Sequence, residues 1–255
     1  MADAVSVPRP ASAVLAVATP PRHSALVRVT HWITALAFGA LLLSGVEIVV
    51  SHPRFYWGET GNVLTAPLFQ LPIPASRATV PTGYGYVLPD QNGWSRYLHF
   101  EAAWALVLTG AVYLLAGILS GHFRRNLVPL AGQRSIRAFF QSLAQHLRRA
   151  PADTSSYNVV QRWAYLAVIF VLFPLIIWTG LALSPLFEGA FPAAVSILGG
   201  RQSARTLHFF VTWALVFFLG THLIMIALSG FWRLTRAMIT GHSVTPRAAA
   251  PENQP

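Results

Sequence analysis

Four long apolar stretches punctuate the chain, at about Val29–Val50, Tyr97–Ser120, Trp163–Leu183 and Thr206–Leu228. Each is close to the roughly 20 residues a helix needs to cross a hydrocarbon core about 30 Å thick. No water reaches that core, so backbone N–H and C=O groups must pair within the segment, and a helix does this. The pattern predicts an all-α membrane protein, a four-transmembrane-helix bundle over residues 26–240 with both termini cytoplasmic, and no separate soluble domain. Residues 1–25 and 243–255, rich in Pro and Ala, are expected to be disordered cytoplasmic tails. Ala11–Ala18 is a short apolar run flanked by prolines, unlike a signal peptide.

Two connections break the pattern. The external loop 51–95 is Pro-rich and nearly uncharged, with the aromatics Phe55, Tyr56, Trp57, Tyr84, Tyr86 and Trp94. Such aromatics suit a headgroup-level belt and equally a docking platform for an extracytoplasmic partner. The internal loop 121–161 contains a basic stretch, Gln133 to Arg149, whose Ile136, Phe139, Phe140, Leu143 and Leu147 recur at helical spacing. An amphipathic helix on an anionic leaflet is expected there.

Apolar residues make up 54% of the chain and charged residues 10%, a membrane composition. The net charge of +10 would suggest nucleic acid in a soluble protein, but its arginines crowd the internal loop and the two tails. That bias follows the positive-inside rule, orients the chain in a bacterial cytoplasmic membrane, and makes nucleic acid an unneeded partner. There is no cysteine, which excludes disulfides, thiolate-ligated clusters and covalently attached haem.

A histidine motif occurs twice: Arg96-Tyr-Leu-His99-Phe and Arg205-Thr-Leu-His208-Phe each head an apolar run, aligning without a gap through Trp104/Trp213 to a closing Ser-Gly. The second copy adds His222 where the first has Tyr113, and Arg28-Val-Thr-His31 opens an earlier run. Intramembrane imidazoles are costly and mark function by default. His208 and His222 lie 14 residues apart, about 21 Å along a helix and within roughly 40° of one direction. One helix thus offers a ligand near each surface. The topology pairs His99 with His208 at the outer side and His31 with His222 at the inner side, as axial ligands of two b haems. Bonding across helices to backbone or hydroxyls is the plainer alternative for such residues. One tension concerns depth: His31 is three residues from Arg28, whereas His222 is eleven from Arg233, so the fourth helix must extend beyond the bilayer or tilt.

Arg28, Arg96 and Arg205, near these histidines, could neutralise haem propionates, and interfacial anchoring would also place arginine there. Gly39, Ser44, Gly45, Gly110, Gly117 and Gly220 leave room for a flat macrocycle or for close helix packing. Glu47 and Glu101 read as interfacial; His23, His52, His122, His146 and His242 read as surface residues of loops and tails.

Arg28-Val-Thr-His31-Trp-Ile-Thr-Ala, the fourth-span histidine pair and Tyr157-Asn158-Val-Val-Gln161 resemble the four-helix di-haem cytochrome b subunits of the bacterial cytochrome b561-like superfamily. These include the membrane subunits of formate dehydrogenase, nickel–iron hydrogenase and thiosulfate reductase. The resemblance implies haem ligation by His31, His99, His208 and His222, and a quinone pocket formed by Tyr157, Asn158 and Gln161 near the inner haem. Asn158 would also serve as a helix cap. Both loops are longer than in the formate and hydrogenase members, closer to the branch paired with extracytoplasmic molybdopterin oxidoreductases. The expected function is electron transfer between the quinone pool and such a partner. A stand-alone oxidoreductase taking electrons from a small reductant such as superoxide is the rival, and a transporter ranks last.

Overall fold

The computed structural model describes residues 23–62, 64–72, 93–129, 135, 137, 140–141 and 159–241. The helix α1 (Ala25–Ser51) starts where the Ser24 hydroxyl accepts the Val27 backbone N–H at 3.3 Å, satisfying one of the orphan donors of a helix start. A short ribbon follows, β1 (Arg54–Phe55) paired antiparallel with β2 (Phe69–Gln70), and then α2 (Gly93–Leu119). The third span, α3 (Val159–Leu181), leads through the short helices α4 (Pro185–Ala190) and α5 (Pro192–Ser196) into α6 (Arg201–Thr240). Helices α1, α2, α3 and α6 are 27, 27, 23 and 40 residues long and apolar enough to span a membrane, as the hydropathy pattern predicts. The amphipathic stretch expected at Gln133–Arg149 and both tails lie largely outside the described residues.

Pro174 has no N–H to bond the carbonyl four residues back, and its ring crowds that carbonyl. The helix answers by widening to a π turn over Val168–Leu172, closed by Phe173 N–H to the Val168 carbonyl, and resumes its α form. The span therefore stays continuous.

The four spans pack as two hairpins. α1 lies along α2, and α3 lies along α6, while close backbone packing between the two hairpins is sparse among the described residues. Val168, Val211 and Leu215 form the mid-membrane core between α3 and α6, with Phe38 of α1 reaching across to it. Ala182, Val195, Leu198 and Ala204, under Trp178 and Phe187, close the loop face. The repeat-matched Trp104 and Trp213 are exposed to a similar degree, both looking outward.

The external loop is partly built into the bundle. Phe55 is buried, stacked on Phe69 at 4.6 Å and against Phe209 of α6 at 4.5 Å. α6 begins at Gly200, which has no side chain to cap it, and the loop supplies the cap instead. The Gly58 carbonyl accepts from Gln202 and Ser203 N–H at 2.9 and 3.2 Å, and Glu59 Oε2 accepts from Arg201 N–H at 3.1 Å. The carboxylate there also complements the positive end of the helix dipole. Thr206 donates its hydroxyl to the Tyr56 carbonyl at 2.7 Å. Phe55 and Tyr56 are therefore packing residues of the α6 start, not a lipid-facing belt, while Trp57 remains exposed.

At the face where α1 begins and α6 ends, the depth tension resolves by a break. Arg28 donates to the Ile239 carbonyl at 2.8 Å and Trp32 Nε1 to the Met238 carbonyl at 3.3 Å. A straight helix would carry Ile239 about 25 Å beyond His222. Gly230, at φ 108° and ψ 78°, turns helix α6 so that its last ten residues, 231–240, return to the foot of α1. Only glycine holds that conformation without Cβ strain, and Arg233 covers the freed Ser229 carbonyl at 3.1 Å. Gly230→Ala should lower stability by roughly 1–3 kcal/mol. A thermal melt in detergent checks this, and an unchanged Tm would mean the turn carries no strain-sensitive conformation.

Candidate functional site

The four spanning histidines meet as two pairs, each joining the α1–α2 hairpin to α6. The His99 and His208 ring centroids are 6.2 Å apart at 58°, and those of His31 and His222 are 6.3 Å apart at 51°. Two imidazoles that share one metal ion through bonds of about 2 Å have centroids roughly 6–6.5 Å apart. A direct ring-to-ring hydrogen bond of about 2.9 Å would bring them nearer, to roughly 5–5.5 Å. Both pairs therefore have the spacing of shared axial ligands, at two depths set by the 14 residues between His208 and His222.

The His99–His208 pair is oriented by hydroxyls. Ser44 Oγ lies 3.0 Å from His99 Nδ1, and Thr179 Oγ1 lies 3.0 Å from His208 Nδ1. Ser44 donates its own proton to the Ala40 carbonyl at 2.7 Å, and Thr179 donates to the Leu175 carbonyl at 2.8 Å. Each hydroxyl can then accept from Nδ1–H, as can the Leu41 and Ile176 carbonyls beside His99 and His208, and the tautomer with the proton on Nδ1 leaves Nε2 with a free electron pair. A glycine follows each hydroxyl and lets the ring approach. A Cβ on Gly45 would meet His99 Cε1 at 3.7 Å, and one on Gly180 would meet His208 Cε1 at 3.3 Å. The two hairpins thus repeat one device, a hydroxyl–glycine dipeptide on the first helix backing a histidine on the second. Ser44 and Gly45 were expected only to make room, and Thr179-Gly180 escaped the sequence reading. A hydroxyl–glycine step in the helix before each Arg-x-Leu-His motif was the available signal.

The second pair has an aromatic setting. Phe218 stacks on His222 at 5.9 Å and 17°, Tyr165 packs edge-on to Phe218 at 6.1 Å, and Trp32 sits edge-on to His31 at 5.3 Å. His31 Nδ1 is buried with no hydrogen-bond partner among the described residues. Three of the glycines, Gly39, Gly110 and Gly220, have no neighbour within 4 Å of where a Cβ would stand, whereas Gly117 is closed by the Phe123 ring and serves packing. Donor set, ring spacing, sparse contact between hairpins and open glycines all fit a flat, bis-imidazole-ligated group.

The arginines are tied to backbone. Arg205 donates to the His52 carbonyl and lies over the Phe55 ring at 5.3 Å, Arg28 holds Ile239, and Arg96 is exposed at the loop face. Of the three residues expected at a quinone, Tyr157 and Asn158 lie outside the described residues. Gln161 stands one turn before Tyr165 and so at the same face as His222. His23, His52 and His122 lie at helix ends and turns, as expected; His146 and His242 lie outside the described residues. Desolvation, reinforced by the Arg205 guanidinium, holds His52 below its ordinary pKa, and desolvation with Arg125 does the same for His122. Both are neutral near pH 7.

The sequence matches the prokaryotic cytochrome b561 family over residues 22–241, that is, through all four spans. The chain belongs to that family. A protein of Azospira oryzae named as a protein-methionine-sulfoxide reductase subunit, YedZ1, is similar to it, 33% identical over 227 residues covering 86% of this chain and 96% of the relative. No solved structure matches the chain. Membership in the cytochrome b561 family makes haem b the cofactor and membrane electron transfer the function, in agreement with the reading of the histidines as ligands for haem without a cysteine anchor.

Proposed function

We propose that this cytochrome carries two b haems, one between His99 and His208 and one between His31 and His222. It would pass electrons from membrane quinol to an extracytoplasmic oxidoreductase that reduces methionine sulfoxide in proteins. The observation that carries the reading is the pair of imidazole pairs, 6.2 and 6.3 Å between centroids, at two depths on one helix. Bound haem b supplies one-electron carriers at both depths. The chain's own residues would hold and orient them: the histidines would ligate, and Ser44 and Thr179 stand at Nδ1 of His99 and His208. Positive-inside charge places α1's start and α6's end in the cytoplasm and the ribbon outside, in the bacterial cytoplasmic membrane.

The relative's name supports the partner's substrate class, and the partner is read as a molybdopterin enzyme from the family branch with long external loops. It would dock on the external loop, whose β1–β2 ribbon packs on α6 at Phe209, next in sequence to His208. The quinone is placed at the inner face, on Tyr157, Asn158 and Gln161, where a carbonyl oxygen finds neutral donors and an aqueous proton route. The long external loop disfavours direct access by a small reductant such as superoxide, which needs an open haem edge.

The test is quinol-driven reduction of an oxidised protein substrate in native membranes, with the partner captured by affinity purification. Deleting residues 74–90 spares β2 and the start of α2. That variant should keep both haems reducible by dithionite, lose the co-purifying oxidoreductase and lose turnover. Asn158→Leu should keep the partner and the haem spectrum while quinol no longer reduces the haems. If the intact protein purifies alone and turns over quinone with a small reductant, the stand-alone enzyme is the correct reading.

A further inference from the structure

The two histidine pairs differ in one chemical respect. Both Nδ1 atoms of the His99–His208 pair face a hydroxyl at 3.0 Å, whereas His31 Nδ1 is buried with no partner among the described residues. We infer that Ser44 and Thr179 are redox-positioning residues, which make the His99–His208 site the lower-potential of two otherwise similar bis-imidazole sites. The inference rests on the ligation proposed above and adds what distinguishes the two sites.

The direction follows from the proton count. The Ser44 hydroxyl donates to the Ala40 carbonyl and the Thr179 hydroxyl to the Leu175 carbonyl, so each is available to accept from Nδ1–H, beside the Leu41 and Ile176 carbonyls that also bond the two rings. An imidazole whose Nδ1–H is donated becomes more basic at Nε2. A more basic axial ligand stabilises the oxidised metal over the reduced, and hydrogen bonding around the ligand is a recognised lever on potential. In the other pair, Trp32 and Phe218 rings pack against His31 and His222 and offer no hydroxyl oxygen at those contacts. The hydroxyls sit one on each hairpin, on α1 and on α3, so both ligands of a single site would be adjusted together, and among the described residues no hydroxyl stands at Nδ1 of the other pair.

The experiment is a potentiometric titration of the purified cytochrome, followed optically, in a His31→Ala background that isolates the His99–His208 site. Ser44→Ala and Thr179→Val each remove a hydroxyl that touches the ligand but no ligand itself. Together they should lower the ratio of oxidised to reduced site at a fixed ambient potential about tenfold, an upward shift of about 59 mV for a one-electron couple. Each alone should give about a third of that ratio change on a logarithmic scale or more. Ser44→Thr and Thr179→Ser, which keep an oxygen on the same atom, should titrate with the unmodified protein. A purely structural role would alter loading without this split between hydroxyl-keeping and hydroxyl-removing variants. Unchanged titration in Thr179→Val with haem still bound overturns the inference, and the isosteric Thr179→Val decides the matter if Ser44→Ala fails to assemble. A haem content other than two in the unmodified protein overturns instead the ligation on which it rests, so the two failures are told apart by haem quantification alone.

Discussion

Replacing His208 with alanine should leave one haem per chain in place of two. With no cysteine, haem in this chain has only axial ligands and packing to hold it. His208 is one of two imidazoles at its site, and it is the one whose ring is fixed both by Thr179 at 3.0 Å and by the close approach of Gly180. If His208 ligates as proposed, removing the ring would delete an iron bond and leave the Thr179 hydroxyl without its imidazole partner. The site 14 residues further along α6 keeps His31, His222, Phe218 and Trp32 untouched. His31→Ala should do the reverse and remove the other haem only. Pyridine haemochrome quantification per chain, with the reduced-minus-oxidised spectrum of each variant, reads the result. If both variants lose the same haem, the pairing of rings is wrong.

Gly180→Leu should remove the same haem as His208→Ala without touching a ligand. A Cβ at position 180 would stand 3.3 Å from His208 Cε1, tighter than an ordinary contact, and the further carbons of leucine would press on the ring. The ring cannot yield without giving up its bond to Thr179, because ring and hydroxyl lie on the same side of α3. Gly45→Ala provides the contrast. Its Cβ would meet His99 Cε1 at 3.7 Å, a normal van der Waals distance, so two haems and the parent spectrum should persist. Both variants concern apolar surface inside a membrane helix, where replacing glycine raises helix propensity by up to about 1 kcal/mol, so unfolding does not confound the comparison. Two haems with an unperturbed spectrum in Gly180→Leu would show that His208 does not ligate in this position.

Much of this was legible in the chain. The spans announced themselves because lipid leaves a helix no alternative, so length and hydropathy suffice to find α1, α2, α3 and α6. The histidines were legible because a titratable ring is improbable in a span unless something binds it, and because periodicity along one helix places His208 and His222 on one side. Pro174 stands in the sequence of the third span, but the π turn that absorbs it shows only in the structure.

Other features depend on contacts that no local pattern encodes. Thr179 lies 29 residues from His208, and Ser44 lies 55 residues from His99, with different lengths of loop between. A hydroxyl in an apolar helix reads as ordinary until the neighbouring ring is seen against it. The depth of His222 relative to His31 posed a choice between an extended and a tilted helix, and Gly230 answered with a backbone turn that a lone glycine in an apolar run does not advertise. The loop aromatics were open between a belt and a platform. Only the cap that Gly58 and Glu59 place on α6 shows Phe55 and Tyr56 to be part of the bundle.

By itself the sequence determined what is local or imposed by the solvent: four spans, no cysteine-anchored cofactor, and a histidine near each surface of the fourth span. Tertiary structure alone decided how closely the paired rings approach, at 6.2 and 6.3 Å, and which of them carry a hydroxyl at Nδ1. The physical reason is range. Hydropathy and helical period act within a few residues, whereas ring spacing, tautomer and the close approach of glycine to imidazole are set between helices that the chain brings together only when the hairpins pack.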